Sequence, residues 1–206
     1  MLIIVKLGIV DYGVGNIYSL KKALEHLEVD VVVSKDAKVL DGCSGIVLPG
    51  VGAFCDAVSN ISADGLGQVI TNQVLKGKLV LGICLGMQLM YDYSTEGGEF
   101  KGLGLISGWV DRIPDRVKVP HIGWNSLNIS KSCKVLEGVE DGDYVYYVHS
   151  YYARPGDSSD VCAYSSYGID IPAVVVKGNL VGMQFHPEKS GETGLKILNN
   201  IKELII

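Results

Sequence analysis

Three residues of this 206-residue chain could together do chemistry: Cys84, His186 and Glu188. Cys84 sits in Gly82-Ile83-Cys84-Leu85-Gly86, straight after Leu79-Val80-Leu81 and straight before Met87-Gln88-Leu89-Met90-Tyr91, which reads as the opening turns of a helix. A thiol between glycines at a strand-to-helix turn describes an elbow. Its small neighbours tolerate unusual backbone angles, and the side chain projects into a cleft. The first amides of a helix carry unpaired N–H groups and partial positive charge, which favours a thiolate at that place. His186-Pro187-Glu188 supplies an imidazole and a carboxylate two residues apart; in an extended segment they project to the same side, and Pro187 biases His186 toward extended angles. The carboxylate can then hold one ring nitrogen and leave the other facing the cleft, completing nucleophile, base and orienter. Each part has a plainer reading. Most free cysteines are small buried hydrophobes, and an isolated His-Pro-Glu is commonly a solvated turn.

The elements that must position these groups alternate through the first half. Ile3 to Val10 reads as a strand; Asn16 caps a helix whose apolar positions Ile17, Leu20, Leu24 and Leu27 follow helical spacing; Val29 to Val33 is a second strand. Ile46 to Leu48 is a short buried strand, followed by a helical stretch to about Leu75 and the strand Leu79 to Ile83. Such alternation implies an α/β domain with a parallel sheet covered on both faces. The second half adds antiparallel elements: Gly102 to Val110, Trp124 to Ile129, Tyr144 to Tyr151 and Val161 to Ser165 read as strands. Ala173 to Lys177 and Leu180 to Phe185, joined by Gly178-Asn179, read as a hairpin, and Leu195, Leu198, Ile201 and Ile205 mark a closing helix. One domain spanning residues 1–206 is the expectation. Ligands of open parallel sheets bind beyond the carboxyl ends of strands, where both Cys84 and His186 fall. The loop Pro49-Gly50-Val51-Gly52-Ala53-Phe54 falls there too, and its backbone amides can approach a ligand closely. It lacks the lysine and spacing of a phosphate loop.

Composition excludes several classes. A formal net charge of −5 argues against general affinity for nucleic acid or an anionic membrane. The apolar start is too short and too soon interrupted for a signal peptide or a membrane span. Cys43, Cys55, Cys84, Cys133 and Cys162 are odd in number and scattered, which suggests neither a disulfide framework nor a zinc cluster and fits a reducing, cytoplasmic setting. His26, His121 and His149 have no metal-ligand spacing with one another, so no metal and no cofactor is expected.

The glycine-cysteine elbow, the downstream His-x-Glu and the Pro-Gly-Val-Gly loop resemble the class I glutamine amidotransferases. Asp11 to Asn16, Pro49 to Phe54, Gly82 to Gln88, Gly102 to Ile106, Val119 to Asn125, Val148 to Tyr151 and Gln184 to Ser190 are similar, more narrowly, to the branch of glutaminase subunits serving imidazole glycerol phosphate synthase. The likeness spans nearly the whole chain and departs from the pattern at Tyr93-Ser94-Thr95, where acidic residues are common, and in a few extra residues before the first strand. It implies a three-layer, flavodoxin-like fold with a mostly parallel central sheet. It also implies that Cys84 attacks the side-chain carbonyl of glutamine, that His186 moves the proton and that Glu188 orients the ring. Oxyanion donors would come from Leu85 and the Gly50, Val51 and Gly52 loop, and Gln88, Glu96, His149, Ser150 and Tyr151 would hold the rest of glutamine. The implied partner is a (β/α)8-barrel cyclase subunit that takes the ammonia in a heterodimer for histidine biosynthesis, with Trp124, Asn125, Tyr146 and Lys189 on the shared surface. Burial is the alternative reading for Trp124 and Tyr146. A stand-alone cysteine hydrolase or peptidase, and an idle scaffolding subunit with a structural Cys84, are the rival functions.

Overall fold

The computed structural model describes residues 6–205. The part of the first predicted strand before Lys6 lies outside the described residues. In chain order the elements are β1 (Lys6–Val10), α1 (Ile17–His26), β2 (Asp30–Ser34), α2 (Ala37–Asp41), β3 (Gly45–Leu48), α3 (Phe54–Ala63), α4 (Leu66–Leu75), β4 (Leu79–Ile83) and α5 (Leu85–Gln88). They continue with β5 (Tyr91–Ser94), β6 (Phe100–Lys101), β7 (Ile106–Arg112), β8 (His121–Ser126), β9 (Asn128–Ile129), β10 (Tyr144–His149), β11 (Tyr151–Pro155), β12 (Val161–Ser166), β13 (Asp170–Lys177), β14 (Leu180–Met183) and α6 (Gly191–Glu203).

The central sheet runs β2-β1-β3-β4-β14-β13-β12-β9. Its β2-β1-β3-β4-β14 half is parallel, and β13, β12 and β9 extend it antiparallel, so the mixed sheet read from the sequence is the one found. Alternate strand residues face opposite layers, as the period of two requires. Leu7, Ile9, Leu81 and Met183 pack with Leu20 and Leu24 of α1 and Ile197 and Ile201 of α6. Ile46, Leu48 and Val80 pack on the other face with Leu40, Phe54, Ile61 and Ile70 of α2, α3 and α4. Each fully buried side chain of this kind contributes about 1.5–3 kcal/mol. No described helix is long and apolar enough to cross a membrane.

Asn16 caps α1 as expected, its side chain accepting the Ser19 amide at 3.3 Å. Five expectations are corrected. The strand expected over Trp124 to Ile129 is two, β8 paired with β10 and β9 paired with β12 in the central sheet. The single helical stretch before Leu75 is two helices, because Gly65 takes a left-handed φ of 66° between them. The helix after Cys84 stops after one turn. The amides of Leu103, Leu105 and Ile106 take the carbonyls of Leu89 and Met90, which a longer helix would have used for its own next turn. The strand expected from Gly102 begins at Ile106 because the preceding segment is spent on those bonds. The run Tyr144 to Tyr151 is two strands in different sheets: β10 pairs with β8, and β11 pairs with β7 in a four-stranded sheet ordered β11-β7-β5-β6. The chain changes sheet at Ser150, whose carbonyl accepts the Ile113 amide at 2.9 Å.

Candidate active site

The elbow is strained at Cys84 itself, with φ 52° and ψ −108°. A non-glycine residue with positive φ costs energy that the surrounding structure must hold in place. The flanking glycines serve close approach rather than unusual angles: a Cβ at Gly86 would lie 1.8 Å from the Leu48 carbonyl oxygen, and one at Gly82 would lie 2.6 Å from the Gly86 oxygen and the Met87 nitrogen. The Cys84 amide donates to the Met183 carbonyl at 2.7 Å, tying the elbow to β14. The parallel β4/β14 register, Ile83 beside Met183, then delivers Gln184, Phe185 and His186 next to the thiol.

His186 and Glu188 approach each other on a 3-10 turn, Pro187–Lys189, not along an extended segment as the sequence suggested. His186 alone keeps extended angles, and the turn brings Glu188 Oε1 to 2.9 Å from His186 Nδ1 with both side chains almost fully buried. Burial alone would lower the imidazole pKa; the neighbouring Cys84 and the hydrogen bond and charge of Glu188 outweigh it and push it up to about 10. A proton moved from Cys84 to His186 is therefore well held. The resting thiol reaches the Val148 carbonyl at 3.8 Å, and the Gln184 side-chain amide donates to Sγ at 3.6 Å. Ser190, buried, donates to the His186 carbonyl at 2.6 Å and accepts the Tyr146 amide at 2.9 Å, clamping the turn to β10.

In front of Cys84 opens a cavity of about 310 Å³. Val51, Gly52, Leu85, Gln88, Glu96, His149, Ser150 and Tyr151, all singled out from the sequence, line it together with Pro120 and Val148. Gly50 lies beneath, where a Cβ would meet Leu85 at 2.7 Å and the Tyr12 hydroxyl at 2.9 Å. That hydroxyl donates to the Pro49 carbonyl and fixes the start of the loop. Glu96 accepts the Phe54 amide at 2.8 Å, bracing the loop's far end while facing the cavity. Gln88 donates to the Tyr151 carbonyl at 2.8 Å and to Gln184 Oε1 at 3.1 Å. An elbow thiol, a carboxylate-held imidazole and loop amides beside a cleft open on one side can perform acyl transfer from a small carbonyl substrate.

Trp124 and Lys189, exposed, and Tyr146, half-buried between them, cluster outside the cavity. Trp124 is 55% exposed and meets Tyr146 edge-on at 5.9 Å between ring centroids, and Lys189 Nζ lies 6.0 Å from the Tyr146 ring. Asn125 differs from them: its side chain turns inward to the Ser166 carbonyl and His121. Tyr12, Pro120, Gln184 and Ser190 were not singled out from the sequence. For Gln184 the available signal was a glutamine inside the apolar run that leads to His186.

Residues 8–203 match the family described as glutamine amidotransferase class-I. A protein of Caldanaerobacter subterraneus subsp. tengcongensis named imidazole glycerol phosphate synthase subunit HisH is 49% identical over 199 residues, covering 97% of this chain and 98% of its own. The protein of the same name from Geobacillus kaustophilus is 50% identical over 200 residues, 94% of each chain. Among solved structures, that of PurLQS from Thermotoga maritima superposes with a TM-score of 0.78 at 21% identity, over 99% of this chain and 100% of that one, a likeness of fold.

Proposed function

Because the chain belongs to the class-I glutamine amidotransferase family, the reaction to explain starts from glutamine, and we propose that it is the glutaminase subunit of imidazole glycerol phosphate synthase. The observation that carries this reading is the meeting of Cys84 and the Glu188-held His186 at the back of a cavity lined by Gln88, Glu96 and Tyr151. Near-half identity over almost the full length of the two relatives named above supports the choice of synthase.

His186 takes the Cys84 proton, and the thiolate attacks the glutamine side-chain carbonyl carbon. Gln184, whose amide already points at the sulfur, stabilises the negative charge there. The tetrahedral oxygen takes hydrogen bonds from the Leu85 amide and an amide of the Gly50 to Gly52 loop, each such donor being worth about 3 kcal/mol. His186 then protonates the departing amine, so that the C–N bond breaks, ammonia leaves and a thioester remains. Water attacks that thioester, giving up its proton to His186, and glutamate is released with the thiol restored. Gln88, Glu96, His149, Ser150 and Tyr151 hold the amino-acid end of glutamine.

Ammonia freed into neutral water becomes ammonium and stops being a nucleophile, so the product is best passed directly to a neighbouring site. The (β/α)8-barrel cyclase subunit is the partner we assign, docked over Trp124, Tyr146 and Lys189. It joins the ammonia to a phosphoribulosyl-formimino carboxamide ribotide, giving imidazole glycerol phosphate and an aminoimidazole carboxamide ribotide. Five free thiols support a reducing, cytoplasmic location. The test is synthesis by the reconstituted complex with Cys84→Ala: glutamine-dependent synthesis is lost and synthesis from added ammonia is kept. Loss of both, or peptide cleavage by the wild-type chain alone, overturns the reading.

A further inference from the structure

We propose that Asn125 and His121 are positioning residues for the glutamine pocket, acting through His149 to hold the Tyr151 carbonyl and, with it, the Gln88 side chain. The inference rests on the glutaminase reading of the Cys84 site. It starts from the polarity of one hydrogen-bonded chain. The Ser126 amide donates to Asn125 Oδ1 at 2.9 Å, which leaves Nδ2 facing the Ser166 carbonyl at 3.1 Å and His121 Nε2 at 3.4 Å. An amide NH2 only donates, so His121 Nε2 accepts and the ring carries its proton on Nδ1. His121 Nδ1 lies 3.0 Å from His149 Nε2, which must accept in turn, and the His149 proton then sits on Nδ1. The far end of the chain requires the same answer independently: His149 Nδ1 lies 2.8 Å from the Tyr151 carbonyl, which can only accept. Gln88 donates to that same oxygen at 2.8 Å. From Asn125 through both rings to the Tyr151 carbonyl, every donor therefore points one way, and Gln88 meets that oxygen from the cavity side.

The rings are built to stay in this state. His121 is stacked between Tyr147 and Tyr167, with centroids at 4.6 and 3.9 Å, and both histidines are buried. Burial pushes His121 down to about 4. It pushes His149 down to about 3, against the bond to the Tyr151 carbonyl and with the help of His121 and His186, so both rings are neutral at neutral pH. The titratable groups facing His121 are Tyr147, His149 and Tyr167; those facing His149 are His121, Tyr147 and His186. The two phenols are engaged elsewhere, Tyr147 with Ser165 Oγ and Tyr167 with the Lys118 carbonyl, each at 2.8 Å. Among the described residues no carboxylate pairs with either histidine.

Asn125→Asp keeps the shape and removes the donor. A neutral His121 beside a carboxylate must move its proton to Nε2, which reverses the chain and sets a His149 lone pair against the Tyr151 carbonyl. A protonated His121 donates from both nitrogens and restores it. With the cyclase subunit saturating, the variant should show a glutamine KM raised on the order of tenfold at neutral and alkaline pH, the loss of one aligned hydrogen bond. The KM should recover as the pH falls, along a limb the wild type lacks. Nitrogen NMR of the full wild-type chain should find His121 and His149 both as Nδ1–H tautomers, and this measurement stands even if the variant does not fold. An Nε2–H tautomer at either ring, or a variant with wild-type KM and pH profile, overturns the proposal. A wild-type complex without glutaminase activity would sink the functional reading instead, leaving the tautomers to be judged separately.

Discussion

A histidine kept neutral in the folded protein weakens that protein in acid. For His121 and His149 the folded pKa values, about 4 and about 3, lie below the ordinary 6.5. Between 6.5 and those values the unfolded chain binds more protons than the folded one, so stability falls as the pH drops through that window and is whole above it. The cost approaches about 1.4 kcal/mol per pH unit per ring. Denaturant unfolding at pH 7.5 and 5.5 should therefore show a loss that shrinks when His121 is replaced by glutamine; the same slope in both proteins would mean that His121 is not the group responsible. The elbow makes the opposite use of burial. There the neighbouring Cys84 and the hydrogen-bonded carboxylate of Glu188 overcome desolvation and raise His186.

At the scale of elements, one hydroxyl helps clamp the 3-10 turn carrying Glu188 to β10, beside the bond from the His186 amide to the Tyr146 carbonyl at 2.9 Å. Ser190 bridges the His186 carbonyl and the Tyr146 amide, both buried with it. Ser190→Ala should cost about 1–3 kcal/mol through the Tyr146 amide it leaves unpaired, since the His186 carbonyl still accepts the Lys189 amide, and lower kcat for glutamine more than it raises KM, because the base is displaced and the cavity is not. Thermal unfolding and steady-state kinetics check this; an unchanged kcat would show that the turn holds itself. Such a clamp is hard to read in a sequence, because a buried serine bonded to backbone looks like any serine. Tyr12 and Gln184 escape for the same reason. The parallel strands were legible because Val80, Leu81 and Ile46 to Leu48 form unbroken apolar runs, and the elbow was legible because glycines flank a cysteine at a strand end. The short α5 and the change of sheet at Ser150 were not. Both are decided by partners far along the chain: loop amides 103–106 in one case, β7 and β8 in the other.

The whole molecule presents one conspicuous apolar surface feature beside its site. Ile122, Trp124 and Tyr144 are each more than half exposed, on the paired strands β8 and β10 that back the cavity wall. A docked subunit would bury the indole, and such residues dominate interface energetics. Trp124→Ala should weaken the proposed complex with a cyclase subunit by at least about tenfold in Kd while leaving the chain's own melting temperature unchanged, as titration calorimetry and thermal unfolding would show. An unaltered Kd would move the docking surface elsewhere. The β4/β14 pairing has a consequence for the chain as it is made. The thiol and Gln184, the residue two before the base, are separated by 100 positions in sequence, and the strand that carries Gln184 and His186 to the thiol emerges from the ribosome long after the elbow. Until it pairs, the nascent polypeptide holds a thiol with no base beside it, so a half-translated product cannot squander glutamine.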